Sequence, residues 1–272
     1  MPEKRSALDQ GERAQAEEMT GVKPSVIYEA IRAEGDHELS RSFGALWWSG
    51  VIAGVAISLS VVCMGFLKTV LPDAPWTPAV VSLGYPVGFL IVILGRMQLF
   101  TENTVTPILS LFFEPTGKNF FRTVRLWAIV FSANMTGCLL AAASLVFGHV
   151  VPARHFESIL AISQHYGSAT AIQHLAWGIP AGFLIASIVW IMPRMDSGGE
   201  VLAILILTYM IGLGGLSHVV AGSTEVFVLV LHGDLGPLAA VGSAILPAFL
   251  GNALGGTGMF AVLTYAQVRE EV

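Results

Sequence analysis

Long apolar runs divided by short polar segments set the pattern of this chain. Six windows contain no Asp, Glu, Lys or Arg: Phe43–Leu67, Ala74–Gly95, Leu126–Ala153, Ser158–Pro193, Val201–Thr224 and Leu235–Val268. A helix crossing a bilayer needs about 20 apolar residues, so the pattern predicts an all-α membrane protein with six spans. Span one follows the interfacial pair Trp47-Trp48. Spans three and four read as unbroken, from about Leu126 to Val151 and from Ile172 to Met192.

Two spans are interrupted. Within the fifth, Gly214-Gly215-Leu216-Ser217-His218 leads on to Gly222-Ser223-Thr224-Glu225. Gly and Ser loosen a helical ladder, and non-helical backbone at membrane depth survives only against protein or a water-filled cavity. The pattern predicts a broken helix across Gly214–Glu225, with His218 at the break. In the second span, Leu99-Phe100-Thr101-Glu102-Asn103-Thr104 interrupts the apolar run. Thr106 then reads as the N-cap, and Pro107 as the first residue, of a short helix that includes Ile108–Phe113.

Outside the spans, residues 1–22 are polar without periodicity and read as disordered. Val26, Ile27, Ala30 and Ile31 make a short amphipathic stripe before Gly35, which caps the loops or lies on the membrane face. The expected organisation is an N-terminal tail over 1–42, a membrane domain over 43–268 and a C-terminal tail over 269–272.

The two halves resemble each other. Phe131–Gly137 around Asn134 lines up with Phe249–Gly255 around Asn252, and Ala53-Gly54 with Ala181-Gly182. Three spans per half put the second half in inverted orientation. Paired interruptions in such repeats point to a pathway between them. Asn134 and Asn252 read as packing groups that bond across small-residue seams.

Composition agrees with this reading. The 272 residues are 54% hydrophobic and 12% charged, against about 25% charged in a soluble domain. Lys and Arg gather in the N-terminal tail, in the connection holding Lys118, Arg122 and Arg125, at Arg194 and at Arg269. The positive-inside rule places both termini in the cytoplasm, in a plasma membrane of the bacterial inner type. Cys63 and Cys138 read as small buried hydrophobes. His149, His155, His165, His174 and His232 fall in or near loops on the far side, without metal-site spacing. No nucleophile–base pair, metal cluster or nucleotide loop suggests an enzyme, a cofactor or a nucleic-acid partner.

Leu99-Phe100-Thr101, Gly215-Leu216-Ser217-His218 and Gly251-Asn252-Ala253-Leu254-Gly255-Gly256 together resemble the formate/nitrite transporter family, over about Leu46 to Ala266. Ala45–Gly50 and Ser217–Glu225 resemble its YfdC-like side branch. The resemblance implies a lipid-embedded homopentamer of aquaporin-like protomers, each with its own pore. It implies that Leu99, Phe100 and Thr101 form a gating constriction and that His218 is the central histidine. Three departures stand out. Formate-type members carry a lysine before span four, where Gln164–Ser168 has none. They carry asparagines where this chain has Gly182 and Gly222.

The solute therefore stays open. A small monovalent ion or weak acid is the family default, with His218 offering a proton or hydrogen bond, unless its role is structural. Glu102 and Glu225 oppose an anion: at ~6 Å and an effective dielectric near 20, each costs about 3 kcal/mol. A cation or neutral solute is the alternative if they line the path; Glu225 could instead cap a helix. Arg96 is the expected partner of Glu102 or Glu225. A closed-pore membrane interaction or regulatory protein is the reading from another class.

Overall fold

The computed structural model describes residues 22–271. The expected disorder of the N-terminal tail therefore lies, apart from Val22, outside the described residues, as does Val272. Every regular element described is helical. Helix α1 is Pro24–Ser40, α2 Phe43–Val70, α3 Thr77–Leu94, α4 Thr106–Phe113 and α5 Gly117–Phe147. Then come α6 Ala153–Gly167, α7 Ala171–Arg194, α8 Ser197–Leu213, α9 Val219–His232 and α10 Pro237–Val268. Among the described residues α2, α3, α5, α7 and α10 are long and apolar enough to cross a membrane, and α8 and α9 are shorter apolar helices.

Side-chain caps start several of these helices, each satisfying an amide that has no intrahelical partner. Ser42 accepts from Ala45, Thr116 from Asn119 and Asp196 from Gly199, while Thr170 and Gln173 form a reciprocal capping box. The Thr116 cap extends α5 nine residues upstream of the expected start at Leu126. The window Ser158–Pro193 divides: its first part belongs to amphipathic α6, and α7 begins only at Ala171.

The core is built on two seams. On α2, Gly54 meets Asn134, Gly137 and Cys138 of α5; on α7, Gly182 meets Asn252 of α10. A methyl group at Gly54 or Gly182 would collide with backbone across the seam. Packing of this closeness is what small residues permit between membrane helices.

Helix α1 runs straight through Gly35 rather than stopping before it. A side chain there would strike the Thr106 carbonyl, so this glycine serves docking onto α4. Tyr28 donates to the Leu109 carbonyl (3.1 Å) and Ser110 donates to the Arg32 carbonyl (3.0 Å) across the same contact. Of the expected apolar stripe, Ile27 and Ile31 are buried while Val26 and Ala30 are exposed.

The interruptions differ from expectation in extent. The second lies between Gly214 and His218; α9 then runs unbroken through Gly222, Ser223 and Thr224. Glu225 is thus in the second turn of α9, not at its start, and does not cap it. At the first interruption a single 3-10 turn, Glu102–Thr104, leads into α4, whose N-cap is Val105. Thr106 is one position inside, because the turn already supplies partners: Ile108 and Leu109 both donate to the Val105 carbonyl at 3.0 Å.

Candidate functional site

Helices α3 and α8 end in the same way. Met97 N–H donates back to the Val92 carbonyl and Leu216 N–H to the Ile211 carbonyl, both at 3.0 Å. Each closure needs a left-handed residue between: Gly215 has φ 59° and Arg96 has φ 48°. Glycine adopts that geometry freely, whereas arginine is strained there.

An asparagine then clamps each interrupted strand. Asn134 accepts from Phe100 N–H (2.9 Å) and donates to the carbonyls of Gly50 and Gln98 (both 2.8 Å). Asn252 accepts from Val219 N–H (2.8 Å) and donates to the carbonyls of Gly178 (2.9 Å) and Ser217 (2.8 Å). Each amide uses both N–H groups and its oxygen, which fixes its orientation. Both side chains are wholly buried, and both tie a long helix to extended backbone.

These clamps bring the two interruptions together. His218 Nδ1 accepts from Ala221 N–H at 3.2 Å and so caps α9. In the neutral ring the proton therefore sits on Nε2, which donates to Thr101 Oγ1 at 2.7 Å. The Thr101 hydroxyl keeps its own hydrogen to offer elsewhere. Both residues are fully buried, and the edge of Phe89 lies against the imidazole, with centroids 4.9 Å apart. Leu99 is buried beside them. Phe100 stacks on Phe249 (4.7 Å) and meets Phe131 (5.2 Å) and Trp127 (5.5 Å), an aromatic anchor for the strand.

The charged residues are dispersed. Arg96 is exposed and forms no ion pair among the described residues, so the expected bond to Glu102 or Glu225 is absent. The strained turn that reverses the chain at Arg96 carries its side chain outward. Arg96 instead lines a cavity of about 580 Å³ between α1, the first interruption and the α7–α8 connection, with Glu34, Glu38, Arg41, Glu102 and Glu200. Within it Glu38 accepts from Gln98 (2.7 Å) and Arg41 (3.1 Å), while Glu102 Oε1 is buried without a partner among the described residues. Glu225 is buried on α9, beside Thr224, whose hydroxyl meets Ser58 at 2.8 Å.

Two residues of this region, Phe89 and Tyr166, escaped sequence reasoning, as did the buried environment of His174. His174 lies near a loop as expected, in the first turn of α7, but it is buried, with Nδ1 2.9 Å from Ser217 Oγ and its ring 4.7 Å from that of Tyr166. The Tyr166 hydroxyl fills the space where Gly222 lacks a side chain. Ser217 preceding His218 was the one available signal. The space at Gly182 is taken by the Asn252 backbone and that at Gly222 by Tyr166.

Buried polar side chains that join two helix interruptions inside an apolar bundle define a membrane transport protein rather than a soluble binding module. The family described as formate/nitrite transporter matches residues 25–266, and the chain belongs to it as a membrane channel or transporter. It is 35% identical over 246 residues to the inner membrane protein YfdC of Escherichia coli (strain K12), covering 90% of this chain and 79% of that protein. The fold superposes on an FNT family ion channel with TM-score 0.78 and 20% identity, covering 89% of this chain and 98% of that one. It also superposes on a pentameric formate channel with formate bound, with TM-score 0.71 and 22% identity, covering 85% and 100%.

Proposed function

We propose that each protomer passes a small monovalent weak acid or its anion through a pore between the two interruptions, past Thr101 and His218. The observation that carries this reading is the buried 2.7 Å contact between Thr101 Oγ1 and His218 Nε2. A bare ion is costly to desolvate in such a constriction. A weak acid that accepts a hydrogen bond or a proton there crosses at lower cost. In this reading α3 with α4 forms span two, and α8 with α9 forms span five. Six spans result, in two inverted halves, and the matching Asn134 and Asn252 clamps support that symmetry. The likeness to a pentameric formate channel supports a homopentamer, and that to YfdC supports an inner-membrane location; the distribution of Lys and Arg favours both termini on the cytoplasmic side. In this reading Leu99, buried two residues before Thr101, belongs to the constriction, whereas Phe100 anchors the strand through its stack on Phe249.

A second reading keeps the pore and changes the solute. Among the described residues Glu102 Oε1 has no hydrogen-bond partner and Glu225 forms no ion pair. If both carboxylates face the path, a cation or neutral solute is favoured over an anion. The test is a reversal potential across a planar bilayer holding the purified protein, under a KCl and then a potassium formate gradient. A potential near the anion equilibrium value in formate supports the first reading, and one near that of potassium the second. No current and no uptake of labelled formate would overturn the first.

A further inference from the structure

Histidine 174 is the buried polar group for which the Thr101–His218 contact has no use. It is 1% exposed, in the first turn of α7, and Nδ1 is engaged by Ser217 Oγ at 2.9 Å. Nε2 is buried and has no hydrogen-bond partner among the described residues; the Tyr166 backbone interacts with the ring without completing a bond to Nε2. A buried, unpaired imidazole nitrogen costs about 1–3 kcal/mol, so it calls for a partner.

The surroundings narrow what that partner can be. The ring is held from two sides, by the Ser217 hydroxyl of the second interruption and by the Tyr166 ring of α6. Ser217 is itself fixed, because its carbonyl accepts from Asn252 (2.8 Å). The next residue is His218, so two imidazoles flank one short stretch of extended backbone. If Nδ1–H donates to Ser217, Nε2 is a bare acceptor; if Ser217 donates to Nδ1, Nε2–H is a donor. The two arrangements differ in which ring nitrogen carries the proton as well as in the direction of the Ser217 hydroxyl. A weak acid is the solute class that suits both, its O–H meeting the bare nitrogen and its anion meeting the N–H.

We propose that His174 is a second solute-binding group, taking a small weak acid or its conjugate base through Nε2 on the Ser217 side of the second interruption. This rests on the reading that the solute path runs through the interruptions. His174 then holds the solute at one end of the polar stretch and His218 at the other. Ser217 positions the first imidazole, and Asn252 positions Ser217.

The test uses the full-length protein in two preparations, proteoliposomes for uptake and detergent for equilibrium binding, with labelled formate as probe. Wild type is compared with His174→Gln and Ser217→Ala, each required to elute and melt like wild type. We expect His174→Gln to weaken binding and raise KM about tenfold, the loss of one hydrogen bond in a dry site, with a smaller change in the maximal rate. Ser217→Ala should move both in the same direction by less. Should either variant fail to assemble, His174→Asn with the same readouts takes its place. Wild-type binding and KM in His174→Gln would overturn the proposal and leave the transport reading standing. Binding that His174→Gln abolishes, without uptake in wild type, would support the site and overturn the path. If wild type neither binds nor takes up formate, nitrite or acetate, both fall. His174-dependent binding of methylammonium in place of formate would overturn the weak-acid class.

Discussion

Thr101 and His218 stand 117 residues apart in the chain, and their side chains meet at 2.7 Å in the interior. Each comes from an interrupted helix, and each is placed by an asparagine on a long helix rather than by its own element. Thr101→Val keeps the shape and removes the hydroxyl. Uptake of labelled formate should fall about tenfold, the worth of one buried hydrogen bond, with elution unchanged. Full uptake in this variant would place the contact off the path.

Asn252 holds Val219 N–H and the carbonyls of Ser217 and Gly178. Its replacement by Ala removes all three bonds and leaves Val219 N–H and the Ser217 carbonyl, which no helical ladder serves, short of a partner at about 1–3 kcal/mol each. The thermal midpoint of the detergent-solubilised protein should drop sharply, and Asn134→Ala should match it. A midpoint within a degree or two of wild type would mean that water replaces the amide.

Arg96 sits at φ 48° where the matching position, Gly215, is glycine. Relief of that backbone strain in Arg96→Gly should stabilise the protein by about 1 kcal/mol. The same substitution removes a positive charge from a cavity that holds Glu34, Glu102 and Glu200. Thermal unfolding reads the first effect and anion conductance the second; an unchanged or lower midpoint would show that the side chain makes up for the strain.

Glu102→Gln removes the carboxylate whose Oε1 is buried and unpaired. The reversal potential in a formate gradient should move toward the anion value. Unaltered selectivity would assign Glu102 a purely structural role.

On the other face of the bundle, Asp234 accepts from Gln164 (2.9 Å) and contacts His232 Nδ1 (2.9 Å), joining α6 to the end of α9. The Gln164 hydrogen bond first, and His232 second, hold its carboxyl below the usual aspartate range. A carboxyl lowered in this way stabilises the fold fully above its unfolded value, near pH 4, and loses that contribution as pH falls through the native value. Protection factors at Gly233–Leu235, with exchange corrected for the intrinsic amide rate at each pH, should be higher at pH 5 than at pH 3. Asp234→Asn should abolish the difference; persistence of the pH dependence in that variant would assign it to another group.

Much of this arrangement was legible in the chain. The Asn134 and Asn252 segments and the glycine pairs at Gly54 and Gly182 could be aligned because packing at a seam demands the same small residues twice. His218 stood out because an imidazole amid glycines has no place in an uninterrupted apolar helix. The environment of His174 could not be read, since Tyr166 and Ser217 reach it from distant parts of the chain. Glu225 looked like a cap because Gly-Ser-Thr precedes it, yet burial against Tyr166 and Ser58 keeps those three residues helical. Arg96 was paired on charge alone, and a backbone turn decided otherwise.

The seams have a mechanical consequence. Where Gly54 and Gly182 touch the backbone of α5 and α10, no side chain lies between to act as a bearing, so neither pair can slide or roll without a clash. Helices α2 with α5, and α7 with α10, are therefore two stiff struts. Whatever moves when a solute passes is confined to the short strands hung between them. Distances measured across a strut should stay constant through the transport cycle, while those from a strut to Thr101 or Ser217 change.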